Sequence, residues 1–315
     1  MVYIFIKLVW NSNPIYPSLR IVSTKNDQFS ELPLIIGDEF NIIFRGRKLC
    51  IGSELSEFGW LTCVANQNRL NKPFIKLGIQ QERGVAQEYI QCLDCRQSNY
   101  FACRQICIGK ECNPSSQDAY DACQGPNTSV YLTQIGGQTK VGVSLNVNRR
   151  WLEQGSDYAV ELVKMPGLEA RRLEQQISKE LGLKLQVRNT TKIRNFQPEQ
   201  FEYGSEELEN KYDQSKEIIS RDYSSTEKKP VDGFVVEDLT PHYGNLNINR
   251  PIQTINFKPK SEFGGTIEAI KGSIIVVRNG LYLYGLDTKT LTSHTFSLLD
   301  RKASLGGQRS LDEWY

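Results

Sequence analysis

Six of the eight cysteines in this chain crowd into one stretch: Cys92, Cys95, Cys103, Cys107, Cys112 and Cys123. No other feature limits the fold as strongly. The residues around them are mostly Gln, Arg, Ser, Asn and Gly, which give the segment little to bury. Cys92-Leu-Asp-Cys95 is a knuckle spacing that lets two thiolates from one turn face a tetrahedral ion. Thiolates this close repel one another; a divalent cation offsets the repulsion and replaces a core the segment cannot build. The expectation is a cysteine-held metal, zinc first, with an iron–sulfur cluster as an alternative that residue types do not separate from it. Scattered buried thiols or disulfides fit six cysteines among polar residues poorly.

Cys50 and Cys63 leave two readings open. Each alone suits a small core residue. Together with Cys92 and Cys95 they would complete one four-cysteine site, leaving Cys103, Cys107, Cys112 and Cys123 as a second. The expected cofactor is one or two structural Zn2+ ions.

The rest of the chain must supply an ordinary folded body. At 315 residues it is long enough for two or three domains and a substantial core. No run approaches the ~20 apolar residues that span a bilayer. The opening Met1-Val-Tyr-Ile-Phe-Ile-Lys-Leu-Val-Trp10 reads as a buried strand, because Lys7 interrupts it and no small-residue cleavage site follows. A cytoplasmic chain with no membrane partner is expected, and a reducing compartment favours metal ligation over disulfides. The formal net charge is +2, so any surface for a polyanion must be local.

The texture along the chain predicts an α+β fold. A β-rich segment covers 1–90, with runs such as Ile35-Ile-Gly, Phe40-Asn-Ile-Ile-Phe and Lys76-Leu-Gly-Ile split by Asn, Gly and Pro. The cysteine-rich segment covers 91–127 and a small α/β unit 128–197. In that unit Ser129-Val-Tyr-Leu-Thr, a Gly136-Gly137 turn and Lys140-Val-Gly-Val-Ser precede a helix near Arg149–Gln154. A second helix is expected over Leu168–Leu181, where Leu168, Leu173, Ile177 and Leu181 share a face. An exposed charged helix and linker fill 198–230, ending at Pro230. Over 231–315 the chain is β-rich again, with Asn279-Gly280 as a strong hairpin signal, and the tail from Lys302 looks weakly ordered.

The small α/β unit carries a resemblance. Val130-Tyr131-Leu132, Gly136-Gly137, Lys140-Val-Gly-Val-Ser-Leu-Asn and Arg149-Arg-Trp-Leu-Glu-Gln154 resemble the GIY-YIG nuclease superfamily. The resemblance implies that Tyr131 helps activate water and that Arg150 neutralises a scissile phosphate. It makes Glu174, in Glu169-Ala-Arg-Arg-Leu-Glu174, the ligand of a hard cation, Mg2+ or Mn2+. Two positions depart from the pattern: Lys140 stands where a tyrosine is expected, and Gln154 where a histidine is expected. The wider order of cysteines, these motifs and flanking β segments is similar to a mostly archaeal family known only as a domain of unknown function. Against this stands a purely structural account, with Tyr131 in the core and Arg150 and Glu174 as an ion pair.

Basic residues concentrate around the same unit: Lys140, Arg149, Arg150, Arg171, Arg172, Lys184 and Arg188, with Lys179, Lys192 and Arg194 nearby. Such local excess is what phosphate-backbone binding requires. The leading expectation is a zinc protein that binds structured RNA (a tRNA, an rRNA or a ribosomal particle) in preference to DNA. A GIY-YIG-type endonuclease and a zinc-folded protein-interaction module are the rivals.

Overall fold

The computed structural model describes residues 1–54, 60–63, 79–82, 85–88, 90–99, 103, 107–198, 201–231, 233–248, 250–255 and 258–305. The N-terminal half opens with four long strands: β1 (Tyr3–Ser12), β2 (Ile15–Ser23), β3 (Phe29–Pro33) and β4 (Glu39–Lys48). Two short ladders follow, Ser53–Glu54 with Trp60–Leu61 and Ile79–Glu82 with Val85–Glu88. The cysteine-rich stretch contributes α1 (Leu93–Gln97) and α2 (Gln117–Gln124). Then come β5 (Thr128–Gln134), β6 (Thr139–Ser144), α3 (Val147–Gln154), β7 (Tyr158–Met165), α4 (Gly167–Glu180), α5 (Asn189–Arg194) and α6 (Phe201–Asp222). The chain returns to strands with β8 (Ile252–Thr254), β9 (Glu262–Lys271), β10 (Ile274–Asn279), β11 (Tyr282–Asp287) and β12 (His294–Leu298). This is a mixed α+β fold, as expected.

The two β-rich ends share one sheet. Among the described residues it has nine strands in the order β8-β11-β10-β9-β4-β12-β1-β2-β3. The pairings that join the ends are β9 on β4 and β12 between β4 and β1. Ile274, Ile275, Val276 and Val277 on β10 are all 0% exposed. A continuous apolar run of this kind marks a strand covered on both faces. The β10–β11 hairpin turns at Gly280, whose φ of 61° few other residues adopt without strain. Ile35 and Ile36 depart from the β-like expectation. They lie in the turn between β3 and β4, largely exposed, because two isoleucines beside Gly37 provide no alternating pattern to hold a strand. Most of the Lys76 run and residues 306–315 of the tail lie outside the described residues.

The smaller sheet runs β6-β5-β7, with Lys229–Pro230 and Glu237–Asp238 both pairing on β7. Its β5–β6 turn is the Gly136-Gly137 pair, both at positive φ, closed by mutual Ile135 and Gln138 backbone bonds. One face carries α4, where Ala170, Leu173 and Ile177 are fully buried against Val130, Leu132 and Val141. The long helix α6 covers the same core with Leu208, Tyr212, Ile218 and Ile219. It is therefore only half solvated: a few apolar residues at helical spacing suffice to dock an otherwise charged helix. The other face holds α3, whose Trp151 and Leu152 join Phe5, Leu8 and Ile274 in the core of the large sheet.

A buried ion pair fastens the two sheets. Lys271, at the end of β9, lies 2.5 Å from Asp157, and each side chain is 1% exposed. The other Asp157 oxygen accepts the Gly136 N–H at 2.7 Å, and Lys271 also donates to the Phe196 carbonyl. Tyr243 adds a buried bond to the Ser156 carbonyl. Among the described residues no helix is long and apolar enough to cross a membrane.

Candidate metal centre and basic cleft

Two knuckles build the metal centre. Cys50 follows β4, and the chain then turns back through Gly52 into the Ser53–Glu54 and Trp60–Leu61 ladder, which delivers Cys63. Gly52 has φ +87°, and a Cβ there would stand 2.0 Å from the Leu61 carbonyl oxygen, so the turn requires glycine. The second knuckle is Cys92, at the N-cap of α1, with Cys95 inside its first turn. The Gln91 amide donates to the Gly52 carbonyl at 2.6 Å and the Ile51 N–H donates to the Ile90 carbonyl, which lock one knuckle to the other. Trp60 closes the side by donating to the Ile51 carbonyl.

The four sulfurs of Cys50, Cys63, Cys92 and Cys95 all lie within 4.8 Å of one another, and all four residues are buried. The Cys63–Cys92 separation is 3.8 Å. A tetrahedral zinc at about 2.3 Å from each sulfur demands edges of about 3.8 Å. The Cys92 and Gly52 N–H groups both point at the Cys50 sulfur, the kind of backbone donation that orients a metal ligand. Interaction with Cys63 and Cys95, together with burial, pushes the Cys50 thiol far above its ordinary range. Cys95 rises to about 12: its bond with Cys50 acts downward, but Cys63 and burial outweigh it. Four buried thiols this close cannot ionise together without a cation between them. The cluster therefore fits a metal ion such as zinc and could hold one. The structure brings Cys50 and Cys63 to Cys92 and Cys95. Cys103, Cys107, Cys112 and Cys123 line a different cavity.

The basic cleft lies at the junction of the two sheets. Tyr131 on β5 pairs across to Gly142 on β6, and a Cβ on Gly142 would fall 2.5 Å from the tyrosine oxygen. The small residue is what lets the ring lie flat over the neighbouring strand. Tyr131 is 0% exposed, packs edge-on against Trp151 and accepts a 2.7 Å bond from the Gln154 amide. Burial pushes its phenol up, while the Arg150 charge opposes that and the Glu174 charge adds to it.

Four cations converge beside it. Lys140, from β6, is buried and lowered to about 8, by burial first and then by Arg150, with Glu174 offsetting part of the effect. Lys192, from α5, is buried and donates to the Gln154 carbonyl at 2.6 Å. Burial, then Lys289, Lys140 and Arg150, lower it to about 7. Arg150 is half exposed and reaches Glu153 only at 3.8 Å. Lys289 is exposed and comes from the 3₁₀ turn Thr288–Leu291 of the large-sheet half. Arg150, Lys192 and Lys289 line a cavity of about 190 Å³ together with Glu153, Ser273, Thr288, Thr292 and Lys7, which pairs with Glu54 at 2.8 Å.

The other basic residues are engaged elsewhere. Arg149 pairs with Glu153 at 2.9 Å and Arg171 with the buried Glu174 at 2.7 Å. Arg172 holds the Gly109 and Lys110 carbonyls and Glu169. Lys184 is exposed and donates to Gln138, and exposed Arg188 caps α5. Sequence reading does not assign Lys289 or Lys7 to this cleft. Lys289 arrives through long-range sheet pairing, which no local motif encodes; Lys7 looks like an interruption in an apolar strand.

A family model described as "Protein of unknown function (DUF2797)" matches residues 83–296, from just before the Cys92 knuckle to β12. No curated protein and no solved structure matches the chain significantly.

Proposed function

The chain belongs to the DUF2797 family, which brings no activity with it, and we propose that it is a zinc-containing protein that binds structured RNA at the basic cleft. The convergence of Lys140, Arg150, Lys192 and Lys289 carries this reading. Two lysines buried beside further cations are held below their ordinary range. A bound phosphate would relieve that cost, because an anion restores the charged form of each. The zinc centre anchors the neighbouring loop and takes no chemical part.

The GIY-YIG resemblance is part of the proposal. The order β5, β6, α3, β7, α4 is the hairpin-then-helix order it implies, and Tyr131, Arg150 and Glu174 act on one another electrostatically. Endonuclease activity is the weaker reading. Glu174 is already held by Arg171, with Lys140 and Arg150 close by, so a divalent cation would enter a positive environment. A bound phosphate meets no such barrier. Binding of a fluorescent structured RNA, followed by anisotropy with Mg2+ present, tests the choice. Salt-sensitive binding with intact RNA supports the proposal. Cleavage that disappears in Glu174→Ala would transfer it to the nuclease. A DNA preference would revise the partner.

A further inference from the structure

Cys103, Cys107, Cys112 and Cys123 contribute nothing to the zinc knuckles, yet the fold gathers them on one cavity of about 400 Å³. Three elements hold them there. Cys123 sits in the last turn of α2, whose Ser116 caps the helix by accepting the Ala119 N–H. Gly167 at the start of α4 lies directly behind it, and a Cβ there would stand 3.1 Å from the Cys123 sulfur. The loop between Cys107 and Cys112 lies flat on α4: Gly109, at φ +81°, is close to the Arg172 backbone, and the Arg172 guanidinium bonds the Gly109 and Lys110 carbonyls. The Cys107 N–H donates to the Cys103 carbonyl at 3.0 Å.

The spread of the sulfurs sets this quartet apart. Among the described residues the Cys50, Cys63, Cys92 and Cys95 group is the one set of three or more potential ligands drawn within 4.8 Å of one another. No three of Cys103, Cys107, Cys112 and Cys123 approach so closely. The quartet is therefore not drawn to the edges of about 3.8 Å that a single tetrahedral ion sets. The cavity is lined partly by Ile108, Val143 and Leu168, with Lys110 and Arg171 beside it. Apolar walls and nearby cations suit a thiolate-held inorganic cluster of net negative charge.

We propose that Cys103, Cys107, Cys112 and Cys123 form a second metal centre, separate from the zinc site, that holds an iron–sulfur cluster. Each of the four thiolates ligates one iron of that cluster, whose sulfides come from outside the chain.

The test uses the full chain, purified without oxygen and assayed before and after reconstitution with iron salts and sulfide. About four irons and four acid-labile sulfides per chain are expected beside one zinc, with broad visible absorption. The double variant Cys107→Ser, Cys112→Ser should lose iron, sulfide and colour but keep its zinc. Cys63→Ser should do the reverse, which separates loss of the cluster from failure to fold. Two zincs per chain without sulfide, or one zinc and no iron after reconstitution, would each overturn the proposal.

Discussion

Replacing Lys271 by Met should destabilise the protein more than any surface charge change, because it strands Asp157. Both side chains are 1% exposed, and the Lys271 ammonium lies 2.5 Å from the carboxylate. After Lys271→Met the one described donor left to Asp157 is the Gly136 N–H at 2.7 Å. An uncompensated buried charge of this kind costs about 3–5 kcal/mol. Adding Asp157→Asn removes the stranded charge and keeps an oxygen for Gly136. The double variant should therefore recover about 2 kcal/mol of that loss. Burial already pushes the Asp157 carboxyl up, and without Lys271 it should rise further. A raised acid stabilises the fold while protonated and loses that contribution as pH climbs from the unfolded to the folded value. The Lys271→Met penalty should thus be smaller at acid pH than at neutral pH. Urea denaturation of the purified proteins, all at one fixed metal content, reads all three quantities. Equal losses in the single and double variants would refute the idea that charge stranding, and not lost packing, joins the two sheets.

Three further outcomes follow from other parts of the molecule. Cys63→Ser should abolish zinc binding by the first quartet and expose the Cys50 and Cys92 knuckles to protease, as measured by metal analysis and limited proteolysis; retained zinc would show that Cys63 is not a ligand. Gly142→Ala forces a methyl group to 2.5 Å from the Tyr131 oxygen and should cost about 1–3 kcal/mol in thermal or urea unfolding, where a neutral result would mean the ring moves freely. Burial, with Lys48 adding, holds His294 below the usual histidine value. Its contribution is complete above the unfolded pKa and fades as pH falls toward the folded one, so His294→Gln should flatten the loss of stability between neutral and mildly acid pH, and an unchanged profile would contradict this.

Local signals in the sequence reached the parts of the fold that depend on neighbours in the chain. Gly136-Gly137, the Asn279-Gly280 turn and the helix over Leu168–Leu181 needed only turn chemistry and a 3.6-residue period. Cys92 and Cys95 were legible as a pair for the same reason, since both sit on one turn. Cys50 and Cys63 were not decided by sequence, because the sheet that carries Cys50 and the ladder that delivers Cys63 are assembled from distant strands. The same cause hid the joining of the two β-rich ends: β12 inserts between β1 and β4 through pairings such as Phe296 with Phe44, and no local pattern specifies that register. Lys289 entered the cleft by this route, and the Lys271–Asp157 joint did too.

The basic cleft at the junction of the two sheets is where a nucleic acid would have to bind. Binding of structured RNA should weaken with salt along a log–log slope of about −3.6 if Lys140, Arg150, Lys192 and Lys289 each engage a phosphate. Arg150→Ala and Lys289→Ala should each lower the slope by about one and the affinity by about 1–2 kcal/mol, uniformly across sequences. Because Lys192 and Lys140 lose their protons near 7 and 8, affinity should fall as pH rises through that range. Undetectable binding at low salt, or binding that neither substitution alters, would contradict the claim that this cleft is built for the phosphates of a nucleic acid.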